Sequence, residues 1–153
     1  MTTEPTNQQP APSGLFNAHA QAFALEQAIR NELPLVDGEV LHHHSHGVYG
    51  RELRVKAGSV IVGHIHKFTN MNVLLEGDMT VMTDDGPKRV GAGFLVVSPP
   101  GTKRAAYAHT DCRWLTVHGT HETDLAVIEQ EFIVHTEQEY LAFCEQQLLL
   151  KGE

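Results

Sequence analysis

The chain has 153 residues, 41% of them hydrophobic, with eleven Lys and Arg against nineteen Asp and Glu and a net charge of −8. That length can bury one substantial core. The acidic balance lacks the clustered cations of a nucleic-acid or membrane footprint, and the longest apolar run, 93–97, is far too short to cross a bilayer.

Residues 1–13 are mostly Thr, Pro, Gln and Asn. They bury too little to offset their ordering entropy, so a disordered tail is expected. No charged-then-apolar leader pattern opens the chain, and a cytoplasmic protein is expected. Leu15, Ala18, Ala22, Leu25, Ile29 and Leu33 then recur at three- and four-residue steps. That period predicts a helix over 14–34, stopped by Pro34, with this stripe packed on the following domain or on a neighbouring chain.

A β domain is expected over 35–120. Its first feature is an internal histidine run, His42-His43-His44-Ser45-His46. In an extended strand His42, His44 and His46 share one face, so the run reads either as part of a metal site or as a solvated edge strand. Arg51–Val55 alternates as a strand. Ser59–Ile65 is Val/Ile-rich and leads to His64 and His66 on one face. Thr69–Leu75 and Met79–Thr83 form a hairpin about Glu76-Gly77-Asp78, and Asp84-Asp85-Gly86-Pro87 makes another turn. Lys88–Val90, Gly93–Val97, Lys103–Ala108 and Trp114–His118 complete the strands. Short strands between Gly/Asp/Pro turns predict an all-β sandwich or barrel.

Residues 121–153 read as helical. Leu125, Ile128 and Phe132 share a face, and Thr136-Glu137-Gln138-Glu139 is a capping box that opens the last helix. Leu148-Leu149-Leu150 should cover the barrel or a partner subunit. Cys112 and Cys144 are far apart and read as free buried thiols.

Two motifs carry a resemblance. Gly58, five residues, His64-Ile65-His66, three residues, Asn70, six residues, Gly77 is the first. Gly93, five residues, Pro99-Pro100-Gly101, two residues, Arg104, three residues, Ala108 is the second. Their spacing resembles the two motifs of the cupins over about 36–119. Asn70 stands where that family has Glu, and Arg104 where it has His. The resemblance implies an all-β jelly-roll barrel with an N-terminal helix and C-terminal helices, a pocket that often holds a metal, and a homodimer. Lys67, Asp84-Asp85-Gly86, Ser98-Pro99, Gly101–Arg104, Val117-His118 and Glu122-Thr123-Asp124 look like small cupin-type proteins of tailed bacteriophages, a group that implies no activity.

Three functional readings follow. In the first, a divalent metal (zinc, nickel, iron or manganese) is held by His64, His66 and His118, the last in phase with Trp114 and Thr116 on the final strand. His109 is out of phase with Arg104 and would need a bulge to join. In the second there is no metal. Arg104, a fork of donors with no lone pair, binds a small anionic ligand between itself and the His64/His66 pair, with Asn70 a further ligand-binding residue. A structural ion pair of Arg104 with Glu76, Glu122 or Asp124 is the competing account of that residue. In the third, the barrel is a scaffold whose partners are virion proteins. The metal pocket comes first, because paired histidines at the motif spacing are the most specific chemical feature. No carboxylate pair, Ser-His-Asp order or phosphate-cradling loop announces an enzyme.

Overall fold

The computed structural model describes residues 13–32 and 38–152. The expected tail lies outside them except for Ser13, which opens the first helix, and so does the helix stop at Pro34. The elements in chain order are α1 (Ser13–Glu32), β1 (Glu39–Ser45), β2 (Val48–Val55), β3 (Val60–Val62), β4 (Ile65–His66), β5 (Asn70–Glu76) and β6 (Asp78–Thr83). There follow β7 (Gly86–Gly91), β8 (Leu95–Ser98), β9 (Ala105–Ala108), β10 (Cys112–Gly119), α2 (Leu125–Phe132), β11 (Ile133–Val134) and α3 (Glu137–Lys151).

One antiparallel sheet has the order β1-β2-β10-β5-β8 and the other β3-β9-β6-β7. Apart from the hairpins β1-β2 and β6-β7, neighbours in each sheet are far apart in sequence because the chain keeps crossing between the sheets: β2, β3, β5, then β6 and β7, β8, β9, β10. Eight strands wound this way, with β1 added at an edge, make a jelly roll.

Alternation sorts the faces. In β5, Asn70, Asn72 and Leu74 are buried while Met71 and Leu75 are exposed. Leu74, Met79, Val81, Val90, Ala108 and Cys112 form the main apolar cluster. Ile128 and Phe132 of α2 pack on Tyr49 in a second. A cavity lies between the two clusters, with Met79 and Val81 on one side and Ile128 and Phe132 on the other.

The structure departs from the sequence reading in three places. The strand expected over Ser59–Ile65 breaks at Gly63-His64, because β3 pairs with β9 whereas β4 pairs with β11, a strand the sequence reading does not contain. Of the α1 stripe Ala22 is buried as expected, but Leu25 is exposed, and His19, which is off the stripe, is fully buried. The surface beneath α1 is polar: His19 Nε2 reaches the Gly101 carbonyl, and Lys103 Nζ donates to Glu26 at 3.2 Å and to the Gly63 carbonyl at 2.7 Å. Leu148, Leu149 and Leu150 are exposed on the single chain and do not cover the barrel, which leaves a partner subunit as the other expected cover. The capping box at Thr136 and Glu139 forms as expected, and Cys112 and Cys144 are free.

Candidate functional site

The cavity holds about 560 Å³ and opens beside α2. His42, His64, His66, Asn70, Arg104 and His118 all line it, together with Arg51, Tyr49 and Trp114. The structure therefore brings His64, His66, His118, Asn70 and Arg104 to one cavity, but not to one point.

His64 sits in the break between β3 and β4 and meets His135 edge-on, with ring centroids 4.9 Å apart. His66 stacks instead on His118, at 5.3 Å and 16°. His118 stacks in turn on Phe132 at 4.3 Å. Burial pushes both the His66 and His118 imidazoles down to about 4, and the neighbouring His118 charge adds to the effect at His66. Both are neutral at pH 7.

The histidine run divides. His42 donates to, or accepts from, the Tyr49 hydroxyl at 2.8 Å, and His44 packs on the same ring. His43 faces away and contacts Glu52 at 2.8 Å. His46 meets His121 beyond the strand. His109, paired with Thr80 at 2.7 Å, stays outside the cavity. Glu52 is 2% exposed, but what covers it is the solvated guanidinium groups of Arg54 and Arg113. Their hydrogen bonds, Arg113 first, hold its carboxyl down at about 2.

Asn72 is the hub of a polar network that sequence reasoning did not single out. Its Oδ1 accepts from Trp114 Nε1 at 3.2 Å and Thr116 Oγ1 at 2.9 Å. Its Nδ2 donates to Asn70 Oδ1 at 2.7 Å and Ser98 Oγ at 3.0 Å. Asn70 Nδ2 donates to the Phe68 carbonyl at 3.1 Å. Arg104 donates to Ser98 Oγ from Nη2 at 3.0 Å and from Nε at 3.3 Å. The detectable signal was phase: Asn72 and Thr116 occupy inward positions of strands where apolar residues are the rule.

Arg104 is half-buried, and burial lowers its pKa, partly offset by Asp84 from beyond ion-pair distance. The carboxylates expected to pair with it are engaged elsewhere. Glu76 meets Arg113 at 3.5 Å, Glu122 accepts from the Thr123 and Asp124 amides, and Asp124 caps α2. The structural ion pair is thereby corrected.

The metal that the resemblance implies does not fit this donor set. Among the described residues no three His, Cys, Asp or Glu side chains group to hold an ion. His66 Nδ1 and His118 Nδ1 are buried without partners, which is what a ligating pair would leave, but His64 is turned to His135. Asn70 is committed to its network, and a guanidinium occupies the position of the second motif's histidine, where it repels a cation.

No protein-family model and no curated protein sequence matches the chain. Solved structures do resemble it. A cupin-like protein from Desulfovibrio desulfuricans has a TM-score of 0.47 and 24% identity, over 57% of this chain and 90% of that one. A cupin-2 domain protein from Shewanella frigidimarina has 0.43 and 13%, over 62% and 91%. Salicylate 1,2-dioxygenase from Pseudoaminobacter salicylatoxidans has 0.49 and 13%, and the chain spans 73% of its own length but 35% of that enzyme's. By its own strand order and by the two motif spacings that this order accommodates, the chain has the cupin fold.

Proposed function

We propose that the cavity binds a small organic anion, a carboxylate carried on an apolar body, with Arg104 as its counter-ion. One observation carries this reading: a half-buried guanidinium whose hydrogen bonds go to a single neutral hydroxyl, that of Ser98. A cation half-withdrawn from water with only the more distant Asp84 charge to offset it is costly, and a bidentate carboxylate is the complement of its fork. Arg51 adds a second positive charge to the lining, while Met79, Val81, Trp114 and Phe132 offer an apolar wall for the ligand's body. The neutral His66–His118 pair contributes a flat face with no charge to repel such a body.

Calorimetric titration with benzoate and its neutral isostere benzamide tests this. Benzoate should bind more tightly than benzamide, and Arg104→Gln should lower benzoate affinity at least about tenfold. Equal affinity for the two compounds, or benzoate binding untouched by Arg104→Gln, would contradict the proposal.

The same donor set predicts well under one zinc, nickel, iron or manganese per chain in untagged protein analysed by mass spectrometry. A stoichiometric metal, lost in His66→Ala/His118→Ala, would restore the metal reading.

A further inference from the structure

Hydrogen-bond accounting around Asn72 assigns a direction to every proton in the network. The indole N–H of Trp114 can only donate. It therefore fixes the Asn72 amide with Oδ1 toward Trp114 and Thr116, and with Nδ2 toward Asn70 and Ser98. The Arg104 guanidinium can also only donate. Ser98 Oγ thus receives Asn72 Nδ2 on one lone pair and the Arg104 fork on the other. Its own hydroxyl proton is left over. Ser98 is 1% exposed, sits on an inward position of β8 opposite Asn70, and lines the cavity.

We infer that Ser98 is the second donor of the anion site and that Asn72 is the positioning residue that aims its proton. This rests on the carboxylate reading of the cavity. The Ser98 hydroxyl and the remaining Arg104 N–H groups present donors and no acceptor. A carboxylate accepts through both oxygens, one from Ser98 and one from the guanidinium. A primary amide of the same shape must turn its NH₂ toward one of these donors. The network therefore selects for charge state and not only for charge, and the neutral isostere is rejected because one donor pair clashes.

The inference also accounts for the family-motif substitution at Asn70. A carboxylate at that position would accept from Asn72, but it would add a buried negative charge close to the anion site. Asn70 Oδ1 accepts the same hydrogen bond while staying neutral.

Ser98→Ala tests Ser98 directly. It removes the donor and leaves the guanidinium. Benzoate affinity should fall about tenfold while benzamide affinity stays level, so the ratio between the two compounds shrinks. Asn72→Asp tests the aim. Its carboxylate can only accept, so the Ser98 proton turns toward it and away from the cavity. Asn70→Asp adds a like charge one network step away, at a side chain that makes no hydrogen bond to Ser98 Oγ, and the ratio should shrink more in Asn72→Asp than in Asn70→Asp. Ser98→Cys, a weak donor of similar size, guards against loss of folding in the alanine variant and should fall between wild type and Ser98→Ala.

Loss of benzoate binding in Arg104→Gln with an unchanged ratio in Ser98→Ala and Ser98→Cys would overturn the Ser98 assignment and leave the carboxylate reading standing. A ratio that shrinks in Ser98→Ala, but no more in Asn72→Asp than in Asn70→Asp, would overturn the positioning role alone. No preference for benzoate in the wild type would overturn both the inference and the reading beneath it.

Discussion

Protonating the stacked imidazoles of His66 and His118 means placing charge where water cannot follow, and this ties stability to pH. Each has its pKa pushed from 6.5 to about 4 on folding. Between those values the unfolded chain binds more protons than the folded one, so their contribution is complete above about pH 6.5 and is lost as pH falls through 4. Glu52 acts in the same direction but lower, its stabilisation present above 4.5 and lost as pH falls toward 2. The melting temperature should therefore drop between pH 7 and pH 5, before carboxylates protonate. His118→Asn should make that drop smaller, as read by scanning calorimetry at both pH values. A midpoint equally steep in wild type and variant would contradict the buried, neutral pair. At this scale the inward placement of His66 and His118 was legible from alternation. The parting of His64 from His66 was not, because two residues of strand phase say nothing about a break at Gly63. Asn72 and Ser98 were passed over because a neutral polar side chain carries no chemical signature until its partners are known.

Turn geometry decides how the elements are joined. Gly77 has φ of +103°, and a Cβ there would meet the Asp111 carbonyl oxygen at 2.5 Å. Gly86 has nearly the same φ, +101°, with open space where a Cβ would go. Gly86→Ala should cost about 1 kcal/mol of backbone strain, whereas Gly77→Ala should cost about 3 kcal/mol or more, since backbone must also move. Chemical denaturation separates the two, and equal losses would show that the 76–78 hairpin is not clamped against the Asp111 loop. Both turns were legible in sequence, because Gly beside Asp, Glu or Pro is strong local punctuation. The docked face of α1 was legible only in part, at Ala22 and not at Leu25 or His19. A Leu/Ala/Ile stripe is the ordinary signal for burial, but here a lysine ammonium, 3% exposed, and a backbone carbonyl on the barrel select His19 and Glu26 in its place.

Across the whole molecule, the jelly roll follows from local features that add up: regular turns, short β-branched strands, and two motifs whose spacing survives although two of their ligand positions do not. Asn72, Ser98 and Trp114 come from β5, β8 and β10, neighbours in one sheet though far apart in sequence, and Arg104 joins them from the segment before β9 of the other sheet. Long-range convergence of this kind leaves no mark in a single sequence, which is why histidine spacing pointed to a metal while the assembled cavity points to an anion. The most direct test is a crystal of the protein with 4-bromobenzoate, with the bromine located by anomalous scattering. The account predicts bromine against the apolar wall near Met79 or Phe132 and the carboxylate within hydrogen-bond distance of the Arg104 guanidinium and Ser98 Oγ. A carboxylate turned outward to solvent, or a bound ligand with no contact to Arg104, would contradict it.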